Sequence, residues 1–213
     1  MTNAPARAQQ ERSREVRRVI LDAAVDVLVA EGYAQATTLK IQERADVSRG
    51  RLLHHFPSRD ELLVAAAHHL ATERMSETRE TVDWPTEPAA RIDAAVELIG
   101  LSYGQSYFWA ATELWVAARV RTDLQTALFP AEQQLGVIVR DDTARYFGAE
   151  LAAHPMFPTV RDVLHTSLRG AALTTAFDRR PKTLSIHIEK LKQLSRALLI
   201  NVDQAENPTT EEE

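Results

Sequence analysis

The 213-residue sequence contains no cysteine. That excludes a disulfide framework, thiolate catalysis and any zinc site built on sulfur. Glycine (7) and proline (9) are both scarce, too few for an all-β chain with its many tight turns. No apolar run approaches the roughly 20 residues of a membrane span. The opening segment MTNAPARAQQERSREVRR has no apolar signal core. A cytoplasmic protein without membrane contact is expected. G-x-S-x-G, G-x-x-x-x-G-K and G-x-G-x-x-G are all missing, so neither a nucleophile turn nor a phosphate cradle is expected, and with them no enzyme and no cofactor. His54-His55 and His68-His69 are neighbours that point about 100° apart on a helix and cannot share one ion. None of the seven histidines has another four residues away. No metal is expected.

What the sequence does have is ordinary globular composition, 45% hydrophobic and 26% charged, enough to bury a core and incompatible with disorder of the whole chain. The net charge of −5 hides an asymmetry: residues 1–59 sum to +3 and the rest to −8. Any contact with a polyanion belongs at the front. Arginine outnumbers lysine twenty-one to four.

Apolar residues recur with a period near 3.6 from end to end, and no period-two alternation is sustained. The fold class is all-α, with about nine helices. In the first, Val16, Ile20, Ala23, Ala24, Val27 and Leu28 share a face, and Gly32 stands where a helix ends. Thr37 caps a short helix to Ala45 that buries Ile41 and Ala45, and Ser48 caps another to Phe56 that buries Leu52 and Phe56. Pro57 stops it. Ser58 and Glu61 form a capping box for a longer helix over 58–80. Beyond Trp84-Pro85, helices are expected over 88–103, 106–120, 122–147 (with Pro130 bending or splitting it), 156–178 and 182–200. The domains are then 13–60 and 81–202, with the 58–80 helix joining them. The polar segments 1–12 and 203–213 should be disordered.

The two short helices make a helix-turn-helix candidate, whose second helix must be pinned on one side and polar on the other. Residues 47–56, VSRGRLLHHF, fit. Val47, Leu52 and Phe56 face inward, Arg49, Arg51, His54 and His55 face outward, and Gly50 permits close approach. The spacing alone is a weak signal, shared by many helical hairpins. The longer run EGYAQATTLKIQERADVSRGRLLHHFPSRDELLVAA is specific: residues 14–75 resemble the tetracycline-repressor family of bacterial transcription regulators, and ATELWVAARVRTDLQTAL resembles a segment of their carboxyl-terminal domains.

The resemblance implies a three-helix unit that binds double-stranded operator DNA, a helical domain that takes a small-molecule effector, and a homodimer. Its DNA contacts would fall on Thr37, Gln42, Ser48, Arg49, Gly50, Arg51, Leu53, His54, His55 and Arg59. Four positions depart from the family. Asp46 replaces a turn glycine and must tolerate a left-handed backbone. Leu53 replaces a tyrosine that holds a phosphate, and either touches a thymine methyl or packs. Arg59 replaces a lysine that meets phosphate, a role arginine can keep. Gln42 replaces a common alanine. The missing tyrosine leaves open a second reading, a helical ligand-binding or scaffold protein without specific operator affinity.

The most aromatic stretch, YGQSYFWAATELW, is either core or ligand pocket. As a pocket it would use Tyr103, Tyr107, Trp109, Glu113 and Trp115, with Phe129, Phe147, His165 and Arg169. Helical spacing puts Glu113 among apolar neighbours, where it pairs with Arg119, Arg140, Arg145 or Arg169, or meets a ligand. The last two helices are expected to dimerise through Val160, Leu164, Ser167, Leu168, Ala171, Thr175, Leu184, Ile188, Leu191 and Leu198, small residues allowing close approach. An intrachain core is the plainer account of the same faces.

Overall fold

The computed structural model describes residues 4–177 and 183–200. The described residues form ten helices and no strand. They are α1 (Ala4–Gln35), α2 (Thr38–Ala45), α3 (Arg49–His55), α4 (Arg59–Thr81), α5 (Pro88–Ser102), α6 (Ser106–Ala118), α7 (Thr122–Phe147), α8 (Ala149–Ala152), α9 (Phe157–Thr175) and α10 (Thr183–Leu199). The one-turn α8 is the helix that periodicity did not foresee. It follows Gly148, whose φ of 86° ends α7, and four residues are too few to show a period. Pro130 neither splits nor ends α7, which continues through it. The expected turn at Arg180-Pro181 and the tail 203–213 lie outside the described residues.

Residues 4–12, expected to be disordered, are the first turns of α1. Alanine, glutamine, glutamate and arginine are good helix formers, and Arg7 pairs with Glu11 one turn on at 3.6 Å. At the other end, Gly32 adopts φ 76°, ψ 168° inside the segment, a conformation essentially confined to glycine. The helix proper stops there, as the sequence predicts, and one turn resumes to Gln35.

The chain forms two units, each made of two separate segments. The first comprises 1–80 with 106–136, the second 81–105 with 137–213. The first unit is built on α1. One side of it packs on α2 and another on α6, so that Ile20, Ala24 and Leu28 share a core with Ile41, Leu52, Leu62, Leu63, Ala110, Leu114, Leu124 and Leu128. Thus α6 and the start of α7, expected in the ligand domain, belong with the helix-turn-helix, where α6 packs on α1 beside the short α2.

In the second unit, α10 packs on α5 and α9. A Cβ on Gly100 would come within 2.5 Å of Ile188, so glycine is what lets α10 lie against α5. Lys192 reaches Glu97 and Glu189, both at 2.6 Å, and Arg196 reaches Asp93 at 2.9 Å. Both nitrogens of His165 are engaged, 2.9 Å from the Tyr103 hydroxyl and 2.9 Å from the Thr143 hydroxyl. Among the described residues no helix is long and apolar enough to cross a membrane.

Candidate nucleic-acid interface

The helix-turn-helix is closed by its own side chains. Thr37 Oγ1 accepts from Lys40 N at 3.3 Å and Ser48 Oγ from Arg51 N at 3.3 Å, each satisfying an amide that a helix start leaves free. Between them α2 ends on Asp46, at φ 50°, ψ 47°, the left-handed conformation predicted for it. Val47 N then donates to Gln42 O at 3.2 Å. Leu52 and Phe56 are buried, 1% and 3% exposed, and hold the inner side of α3. The Arg17 guanidinium covers the Phe56 ring at 5.0 Å.

The outer side of α3 is open. Ser48, Arg49, Gly50, Arg51, Leu53 and His54 are all exposed, His55 partly so. A Cβ on Gly50 would meet nothing within 4 Å, so no contact among the described residues requires glycine there. His55 titrates below the usual imidazole range, first through burial and then through His54, Arg17 and Arg51. Arg49 and Arg51 are the permanent charges of the face. Thr37 is exposed and Gln42 half-buried at its border.

Arg59 departs from its expected role. Its guanidinium does not extend toward a phosphate but turns inward, Nε donating to Ala36 O at 2.7 Å and Nη2 to Tyr33 O. It also stacks on the Tyr33 ring at 4.2 Å. The break at Gly32 leaves carbonyls without helical partners, and a rigid fork of donors satisfies two of them. Tyr33 OH donates to Asp60 at 2.7 Å, and Arg121 stands 3.7 Å from the same carboxylate.

Glu113 is likewise not where helical spacing put it. It is exposed, and its Oε2 accepts from Tyr33 N at 2.9 Å, with the same oxygen 3.1 Å from where a Gly32 Cβ would stand. The carboxylate's partner is a backbone amide freed by the helix break and not an arginine. A contact between residues 80 positions apart leaves no local pattern in the sequence.

The expected pocket residues are divided between the two units. Tyr107, Trp109, Glu113, Trp115 and Phe129 lie in the first unit, and Tyr103, Phe147, His165 and Arg169 in the second. Phe108, in the same aromatic stretch, sits edge-on to Trp109 at 5.2 Å and to Trp115 at 6.3 Å. Phe147 is 1% exposed and packs on Phe157 at 5.3 Å, so it is core. Phe129 is 61% exposed. A cavity of about 640 Å³ in the first unit is lined by α1, α4 and α7 residues, among them Arg17, Glu61, His68, His69, Asp123 and Gln134. None of the nine lines it.

The expected dimer residues need a similar correction. Val160, Leu164, Leu168, Ile188 and Leu191 are at most 5% exposed within the single chain and form its core. The other five, Ser167, Ala171, Thr175, Leu184 and Leu198, are partly exposed. The apolar side chains left open are Val163 and Leu173 on α9 and Ile186 and Leu194 on α10, 39–53% exposed.

The sequence profile of the tetR family of bacterial regulatory proteins matches residues 20–66, the stretch from α1 into α4. The HTH-type transcriptional regulator Rv2912c of Mycobacterium tuberculosis (strain ATCC 25618 / H37Rv) is 28% identical over 193 residues, covering 90% of this chain and 98% of that protein. The HTH-type transcriptional repressor Rv1474c of the same strain is 32% identical over 112 residues, 50% of this chain and 52% of its own. Among solved structures, the multidrug binding protein EbrR complexed with ethidium matches at a TM-score of 0.60 and 28% identity, over 84% of this chain and 98% of that one. With a capped helix-turn-helix under the matched profile and likenesses that run on through the later helices, the chain belongs to the tetR family of bacterial transcriptional regulators.

Proposed function

We propose that the chain acts in the cytoplasm as a homodimeric repressor, released from a palindromic operator by a small aromatic molecule. The observation that carries the DNA reading is the outer face of α3: arginines at 49 and 51 flank a glycine with open space above it, while Leu52 and Phe56 fix the helix from behind. In the major groove, Arg49 and Arg51 would read base edges and Leu53 a thymine methyl. Thr37, Gln42 and Ser48 would meet phosphate, as would His54 and His55 at the helix end. Arg59 serves the fold beneath that face and gives up the phosphate role.

For the effector, ethidium is a ligand of the similar protein EbrR. The edge-on cluster of Phe108, Trp109 and Trp115 on α6 supports a flat aromatic ligand for this chain. Glu113 is on the same helix and holds Tyr33 N, so a ligand that shifts α6 acts on the break in α1, and through it on the reading helix.

The test is fluorescence anisotropy with DNA from upstream of the protein's own reading frame. Arg51→Ala should cost about 1–3 kcal/mol on the operator and less on random DNA. Equal losses on both would remove Arg51 from base readout. No operator preference in the wild type would favour the second reading, a ligand-binding protein without an operator.

A further inference from the structure

Asp22 on α1 and His69 and Glu73 on α4 bring one ligand-capable atom each to within 4.8 Å of one another. Both helices belong to the first unit. His69 and Glu73 stand one turn apart on the same face of α4. Their atoms Nε2 and Oε1 are 3.2 Å apart, yet the nitrogen is buried and makes no hydrogen bond. An ordinary histidine–glutamate pair would aim the ring N–H at the carboxylate. Here the two atoms are close without that bond. For metal bonds of about 2.0–2.1 Å to nitrogen and oxygen, the edge of a tetrahedron is about 3.3 Å, close to the separation found.

We propose that Asp22, His69 and Glu73 bind one divalent ion of the zinc class, with water completing the shell, and that the ion staples α1 to α4. An imidazole ligand favours zinc, cobalt or nickel over magnesium or calcium, and two carboxylates balance the double charge. Asp22, half-exposed and 3.5 Å from Arg18, completes the third corner by a change of rotamer away from that arginine. His69 also lines the 640 Å³ cavity. His68 points about 100° away and is no ligand. A search for histidines paired with histidines passes over this site, because the partner one turn on is a glutamate.

The full chain without an affinity tag, stripped with EDTA, should bind one Co²⁺ with the visible absorption of a four-coordinate site. Zn²⁺ should displace it and raise the unfolding temperature. Asp22→Asn, His69→Ala and Glu73→Gln should each weaken Co²⁺ binding by at least about tenfold, and His68→Ala should leave it unchanged, with helix content by circular dichroism equal in all four. Less than one equivalent in the wild type overturns the site. So does binding that survives both Asp22→Asn and His69→Ala, or that falls as far in His68→Ala.

Discussion

Gly50 separates the needs of the fold from those of the proposed DNA contact. Glycine inside a helix costs about 0.8–1.0 kcal/mol relative to alanine, and among the described residues nothing would meet an added Cβ within 4 Å. Gly50→Ala should therefore raise stability in urea by up to about 1 kcal/mol while weakening operator binding; undiminished binding would mean that α3 does not need so close an approach. His165 is the second residue with a measurable signature. Burial first, then Arg169 and Arg161, push its pKa from 6.5 to about 4. Between those values the unfolded chain takes up a proton that the folded chain refuses. The stability it contributes is complete above pH 6.5 and is lost as the pH falls toward 4, up to about 3 kcal/mol. Urea midpoints should drop more steeply over that window in the wild type than in His165→Gln. Parallel slopes would show that the ring titrates freely.

At the scale of elements, most helices were legible because each carries a stop or a cap that acts locally: Gly32, Thr37, Ser48 and Ser58 are read from neighbours a few residues away. Asp46 was legible for the same reason, since a two-helix turn demands a left-handed residue at a fixed place. What escaped was tertiary. Val160, Leu164 and Ile188 are apolar at helical spacing whether the partner helix belongs to the same chain or to another, and only the structure distinguishes α5 from a second subunit. Arg59 and Glu113 escaped because both serve the exposed backbone of the α1 break, which is distant in sequence from Glu113. That break makes a prediction. Glu113→Ala strands the Tyr33 amide and should cost about 1 kcal/mol, whereas Glu113→Gln keeps a carbonyl acceptor and should stay near wild type. Chemical denaturation compares the two, and equal losses would mean that the carboxylate's charge matters more than its hydrogen bond.

At the scale of the whole molecule, the proposed homodimer would draw on the open apolar side chains of α9 and α10, since the core has claimed five of the residues expected at the interface. Val163, Gly170 and Leu173 lie on the side of α9 away from Leu164 and Leu168, at about 100° per residue. Two reading helices need a twofold partner to reach half-sites one helical turn apart. Leu173→Glu and Leu194→Glu should each yield folded monomers by sedimentation that no longer hold the operator, and a dimer surviving both would place the contact elsewhere. The discontinuous make-up of the first unit also has a consequence for how the protein is born. Residues 1–80 leave the ribosome with their core unfinished, since Leu114, Leu124 and Leu128 complete it. At about 5–20 residues per second, the nascent DNA-binding helices wait several seconds for those later segments. During that time the apolar surface they cover later stays open, and a gene fragment ending at residue 80 keeps it open permanently.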